Sequence, residues 1–292
     1  MANLKTIRRR IHSVQNTQKI TRAMKMVSAA KLRRAQDQVI RFRAYSDLTE
    51  TVLREVAKEA SPKAHPLLTH RSVESALVLV LTSDRGLCGA FNGNLCREVE
   101  RTVREATLKP SLAIIGRKGR DFFRRRDVEI HTTFRDVYDA PGYEISQSIA
   151  HTLSELFVSG EVDRIDLAFN EFVSVMTQNP AVKPLLPIVL EEAGDEIAAK
   201  DQAAGPAGYT FEPDREALLS LLLPKYLVVQ VYRALLESMA AEHAARMAAM
   251  DAATNNAGDM IDHLTLQYNR ARQSAITKEL MDIVGGSEAL SE

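Results

Sequence analysis

The sequence has no tryptophan, only two cysteines, and 5% aromatic residues among 292. Cys88 and Cys96 are too few for a disulfide framework and form no C-x-x-C, so nothing marks secretion or a zinc site; a reduced compartment is the default. Few aromatics leave little to stack on nucleic-acid bases. Basic and acidic residues balance at 38 each, so overall charge favours neither nucleic acid nor an acidic ligand. No Gly-Lys pair exists, which excludes a Walker-type phosphate loop, and no G-x-G-x-x-G is present. There is no G-x-S-x-G elbow and no H-E-x-x-H metal pair. The N-terminus lacks the unbroken apolar core of a signal peptide, and no apolar run approaches the ~20 residues that span a bilayer.

What is present is unevenly distributed. Residues 1–43 carry twelve Lys or Arg and one acid, Asp37, so a basic arm is balanced by acidity further on, an asymmetry that suggests an acidic partner for the arm. Leu4, Ile7, Ile11 and Val14 fall at a and d spacing, and Ile20, Met24 and Val27 continue the pattern after a shift. With no proline or glycine before Pro62, this helix can run nearly to Ala60, and SPKAHPLLTH then reads as a linker. Residues 235–284 behave alike. Met247, Met250, Thr254, Ala257, Ile261, Leu264, Tyr268, Ala271 and Ala275 draw a second seam, weakened only at Gly258 and ended by Gly285-Gly286. Pro224, within LLLPKYL, predicts a kink or restart.

The middle alternates. ALVLVL (76–81), LAII (112–115), 165–175 and 185–190 are β-prone apolar runs, with helical stretches near 94–106 and 144–159 between several of them. This predicts an α/β domain with a mostly parallel sheet, and 191–208, rich in Ala, Gly and acids, reads as a mobile loop. A compact chain of this length is on the order of 50 Å across, whereas helices of about 55 and 70 residues are roughly 80 and 105 Å long. They cannot fit inside. The fold expected is α/β: a long antiparallel coiled coil of N- and C-terminal helices with a central Rossmann-like α/β domain, divided as 1–60, 61–208 and 209–292. Its apolar patches call for a partner.

The glycine-bearing stretch TSDRGLCGAFNGNL (82–95) has the spacing G-x-x-G-x-x-x-G, which fits a tight strand-to-helix turn with glycines at positive φ. The seven histidines are scattered; His243 and His263 lie too far apart on one helix to share a ligand. Arg117-Lys118 and Arg124-Arg125-Arg126 alternate with Asp121 and Asp127 and read as a solvated basic face. No catalytic, cofactor or metal residues emerge.

Three blocks carry a family resemblance: IHSVQNTQKITRAMKMVSAAKLRRAQ (11–36), SDRGLCGAFN (83–92) and AARMAAMDAATNNAGDMIDHLTLQYNRARQSAITKEL (244–280). With their spacing they span the chain, which resembles the γ-subunit family of bacterial F-type ATP synthases. The resemblance implies a non-catalytic central rotor shaft, without cofactor, that couples proton-driven rotation of the membrane c ring to conformational cycling of the catalytic β subunits. It implies α and β subunits in a hexamer around the coiled coil, an ε subunit, and a peripheral place on the cytoplasmic face of the membrane, with neither nucleic-acid binding nor membrane insertion. Carried over by position, Met24, Lys25 and Cys88 lie near the acidic lever of a β subunit. Arg272 and Gln273 catch a β-subunit loop with Thr277 close by, and Tyr209 and Glu212 form the foot on the c ring. The regulatory cysteine insert of the chloroplast type is absent.

Two other readings stay open at this point. One is a nucleotide-binding α/β enzyme that oligomerises through its helices, and the other a self-associating coiled coil whose basic arm grips polyanions.

Overall fold

A computed structural model describes residues 2–57, 65–138, 142–189 and 214–288. Tyr209, Glu212, the loop expected at 191–208 and the end of the first helix near Ala60 lie outside them. Along the chain come α1 (Ala2–Ala57), a 3-10 turn (Pro66–Leu68), β1 (Ala76–Leu81), α2 (Phe91–Glu105), β2 (Ser111–Ile115) and α3 (Arg117–Phe123). Then follow β3 (Ile130–Phe134), α4 (Tyr143–Val158), β4 (Arg164–Phe172), β5 (Gln178–Leu186) and α5 (Arg215–Glu288). The chain packs as two units, Met1–Ala30 with Arg246–Glu292, and Lys31–Ala245; each takes a stretch of both long helices.

In the second unit the strand order is β3-β2-β1-β4-β5. Strands β1 to β4 pair in parallel, and β5 runs antiparallel to β4. The run ALVLVL forms the central strand because both its faces are covered, which a continuous apolar sequence suits. Val78 and Val80 pack with Leu95, Val99 and Phe123 of α2 and α3. Leu77, Leu79 and Leu81 alternate to the other face, against Leu153 and Phe157 of α4 and Leu223, Leu227 and Val231 of α5.

Several expectations are corrected here. The last strand is Gln178–Leu186, not 185–190; Ser174 N–H donates to Thr177 O (3.0 Å) in the turn from β4, and Pro180 and Pro184 are tolerated because β5 is an edge strand. The short elements α3 and β3 went unread. Part of the expected linker is core: Leu67 and Leu68 are buried, and Leu67 O accepts from Ile188 N–H at 2.9 Å. Helix α5 neither breaks nor restarts at Pro224, since burial of Leu219, Leu223 and Leu227 around it offsets the roughly 3 kcal/mol of a helical proline. It also continues through Gly285 and Gly286 to Glu288, glycine being free to take helical φ as well as left-handed φ. One 18-residue window of α5 is apolar enough by length and composition to cross a membrane, and 44% of it is buried inside the protein.

In the first unit α1 and α5 run antiparallel. Lys25 Nζ meets Asp251 Oδ1 at 2.6 Å, and Thr254 Oγ1 lies 2.8 Å from Thr21 Oγ1. The α5 seam runs as the spacing foretold, every member from Met247 to Ala275 being buried or half-buried. The α1 seam does not shift: it continues from Val14 through Gln18, Thr21, Lys25 and Ser28, while Ile20 and Val27 are exposed. Polar residues take those places because α5 offers Asp251 and Thr254 opposite, and Gly258 lets Gln18 approach; a Cβ there would stand 3.2 Å from Gln18 Nε2.

Candidate functional site

The glycine-bearing loop leaves the carboxyl end of β1, beside the β1/β4 boundary where the order of the parallel strands reverses and where open α/β sheets hold their ligands. Its polar groups are turned inward. Thr82 N–H and Oγ1–H both donate to Ile115 O at 2.9 Å, and Gly119 N–H donates to Thr82 Oγ1 at 2.8 Å. Asn92 closes the loop: its Oδ1 accepts from Ser83 N–H at 2.9 Å, and its Nδ2 reaches Ser83 Oγ at 2.8 Å. Arg117 N–H donates to Asp84 Oδ1 at 2.9 Å. Gly116 has φ +93° with Thr82 O only 2.0 Å from where a Cβ would sit, so glycine is required there. Left-handed φ in the loop falls on Gly89 and on Leu87, not on all three glycines.

The crevice itself is filled by the protein. Ser238 of α5 donates to Leu81 O at 3.5 Å, and Ala241 packs on Cys88 and Phe91 beside Phe172. Arg43 Nη2 donates to Phe172 O at 3.0 Å. The long helices thus stand where such a sheet would hold a ligand. Among the described residues no group of three or more His, Cys, Asp or Glu is placed to hold a metal ion.

The candidate contact residues fall into separate places. Cys88, in the second unit, is 2% exposed and sits inside the loop, with Asn92 Nδ2 at 3.2 Å from its Sγ; the exposed side chain beside it is Leu87. Burial pushes the Cys96 thiol up to about 12, although Arg126 opposes the shift. In the first unit Met24 and Lys25 are half-buried at the level of Asp251. Arg272, Gln273 and Thr277 form an exposed stretch of α5, where Thr277 Oγ1 donates to Gln273 O at 2.9 Å. Arg272 stands 21 positions beyond Asp251, about 32 Å of helix, so the two groups lie at different levels of the pair.

The helices of this unit carry the exposed apolar surface that the sequence leads one to expect. Leu266, Ile276, Leu280, Met281, Ile283 and Val284 on α5, and Ile20, Met26 and Val27 on α1, are all at least half exposed. The α5 residues and Met26 lie off the 3-4 spacing, whereas Ile20 and Val27 stand on the seam expected for α1 and face outward instead. Such a surface on a narrow helix pair marks an interaction site.

A family profile described as ATP synthase matches residues 3–290. The ATP synthase gamma chain of Anaeromyxobacter sp. (strain Fw109-5) is 50% identical over 99% of this chain and 100% of its own length. The central stalk and c-ring structure of the Tetrahymena thermophila mitochondrial ATP synthase contains a chain 26% identical, covering 80% of this chain and 99% of its own, with TM-score 0.59. A chain of the Euglena gracilis mitochondrial ATP synthase, from an OSCP/F1/c-ring structure in rotational state 3, has TM-score 0.70 at 21% identity, covering 99% of this chain and 95% of its own, and shows the shared fold. With a matching profile over nearly its whole length and a half-identical relative end to end, the chain belongs to the ATP synthase gamma-chain family.

Proposed function

We propose that the chain is the central rotor shaft of an F-type ATP synthase, a non-catalytic subunit that couples rotation of a membrane c ring to conformational cycling of catalytic β subunits. The observation that carries this is the first unit: its helices cover each other only along one seam, and much of their remaining apolar surface is exposed. A socket of α and β subunits around a coiled coil of 1–60 and 209–292 would cover it. The α/β domain, 61–208, would stand with the ε subunit and the c ring on the cytoplasmic face of the membrane, peripheral to it.

Mechanically, an asymmetric pair turning inside a ring of like subunits presents a different surface to each, and only differential contact shifts a conformational equilibrium. Contacts of this kind must break at every step. Lys25 and Asp251 are both nearly half exposed, and such a pair contributes roughly 0.2 to 1 kcal/mol, so an acidic β-subunit lever can take Lys25 over at little cost. Met24 beside it, the loop at Cys88 through its exposed neighbour Leu87, and Arg272, Gln273 and Thr277 further along α5 supply the other β contacts. Tyr209 and Glu212 serve as the foot on the ring.

Mixing the purified chain with cognate α and β subunits, weighing the product by native mass spectrometry and following ATP hydrolysis tests the reading. One copy per three α and three β, with sustained hydrolysis that needs this chain, is expected. A chain that stays separate and leaves hydrolysis unchanged would overturn it.

A further inference from the structure

Within the second unit one side chain ties three elements together. Arg43 of α1 donates from Nε to Glu237 Oε1 of α5 at 3.1 Å and from Nη2 to Phe172 O, at the end of β4, at 3.0 Å. Glu237 is 4% exposed, so its charge is held in the interior and depends on its partners. Arg233 supplies the second one, with Nε 3.4 Å from Glu237 Oε1 and Nη1 2.9 Å from Asp47 Oδ1 back on α1.

The surroundings make this strap matter. Beside it an open cleft of about 580 Å³ runs between helices and sheet, lined by Phe169 and Glu171 on the sheet and by Arg233 and Glu237 on the helix. The apolar core joins helices and sheet elsewhere, but apolar contact is non-directional and resists separation better than a change of angle. A planar guanidinium with two fixed donors resists both.

Resting on the shaft reading above, we infer that Arg43, secured by Glu237, is a positioning residue that fixes the angle of the helix pair on the α/β sheet, so that torque passes between them without slip. Arg43→Ala leaves Phe172 O without this donor and Glu237 with Arg233 alone. Arg43→Lys keeps the charge but loses the fork.

The test uses membranes carrying the assembled synthase with the wild-type chain, R43A or R43K, and measures ATP-driven proton pumping per ATP hydrolysed against an increasing proton gradient, normalised to assembled complex. R43A should keep its hydrolysis while the pumping ratio under load falls about threefold or more, with R43K between it and wild type. A ratio equal to wild type in R43A, whether or not less complex assembles, would assign Arg43 to fold stability alone and overturn the proposal. Failure of the shaft reading looks different: there the wild-type chain itself would not restore pumping to membranes lacking it.

Discussion

The same two helices are built differently in their two stretches. In the second unit α5 buries Leu219, Leu223, Leu227, Val229, Val231, Leu235 and Ala241, and α1 buries Leu32, Val39, Leu53 and Val56. Among the described residues of the first unit the buried ones are Thr21 and Ser28 on α1 and Arg246, Met250, Thr254 and Ala257 on α5. One stretch is a core element of an α/β domain. The other buries mostly small or polar side chains inside and leaves Leu280, Met281 and Ile283 in water. Intrachain packing therefore explains the first stretch and leaves the second unexplained, which is the physical case for a partner.

The largest effect expected from breaking this contrast is in the core stretch. Leu227→Ala, at a side chain 1% exposed against the sheet, should cost about 2 to 5 kcal/mol in denaturant unfolding of the chain. A loss under about 1 kcal/mol would mean that α5 is not a core element there.

Leu280→Ser with Ile283→Ser reverses the balance. Both side chains are more than half exposed, so the isolated chain should change by no more than about 0.5 kcal/mol per site, while the yield of complex with α and β falls. Unchanged assembly would remove the main support for a socket. Arg272→Ala, nearby but polar and exposed, should do less: assembly persists and turnover drops by a few-fold, as for a contact of about 1 kcal/mol. Complete loss of the complex would show that Arg272 holds the assembly together instead.

How much of this was legible in the sequence follows from the same contrast. ALVLVL declared β1 because a strand covered on both faces is apolar throughout, and the 3-4 spacing from Met247 to Ala275 declared the α5 seam. Helix α3 was hidden because RKGRDFF shows only two buried positions, Gly119 and Phe123, in seven residues. Strand β3 was hidden because IHTTF lies at the sheet edge and buries none of its residues fully. The α1 seam was misread at Ile20 and Val27 because hydrophobicity alone locates a seam only where its interior is apolar. The candidate contacts came from resemblance; no pattern of spacing or charge distinguishes Arg272 from any other exposed arginine.

A smaller, pH-dependent effect belongs to the second unit. The folded chain keeps the Cys96 thiol protonated over a range where the unfolded chain, near pH 9, has lost the proton. The stability this contributes is full below pH 9 and is lost as pH rises toward about 12. Cys96→Ser should flatten that part of the stability profile. An identical slope in the variant would place the alkaline loss elsewhere.

The smallest effect is expected where the first unit's seam is polar. Thr254 Oγ1 lies 2.7 Å from Met250 O and 2.8 Å from Thr21 Oγ1, while Thr21 Oγ1 lies 3.0 Å from Gln18 O. Each hydroxyl has one hydrogen, so when both donate to their own helix the contact between the two hydroxyls holds no hydrogen bond. Thr254→Val alone should cost under about 1 kcal/mol, and Thr21→Val with Thr254→Val should be close to neutral, since replacing both partners by apolar groups of the same shape leaves no orphan. Denaturant unfolding of the two single variants and the double variant checks this as a cycle. If the double variant instead lost more than about 2 kcal/mol, the polar seam would be a principal source of stability and the contrast between the two stretches would close.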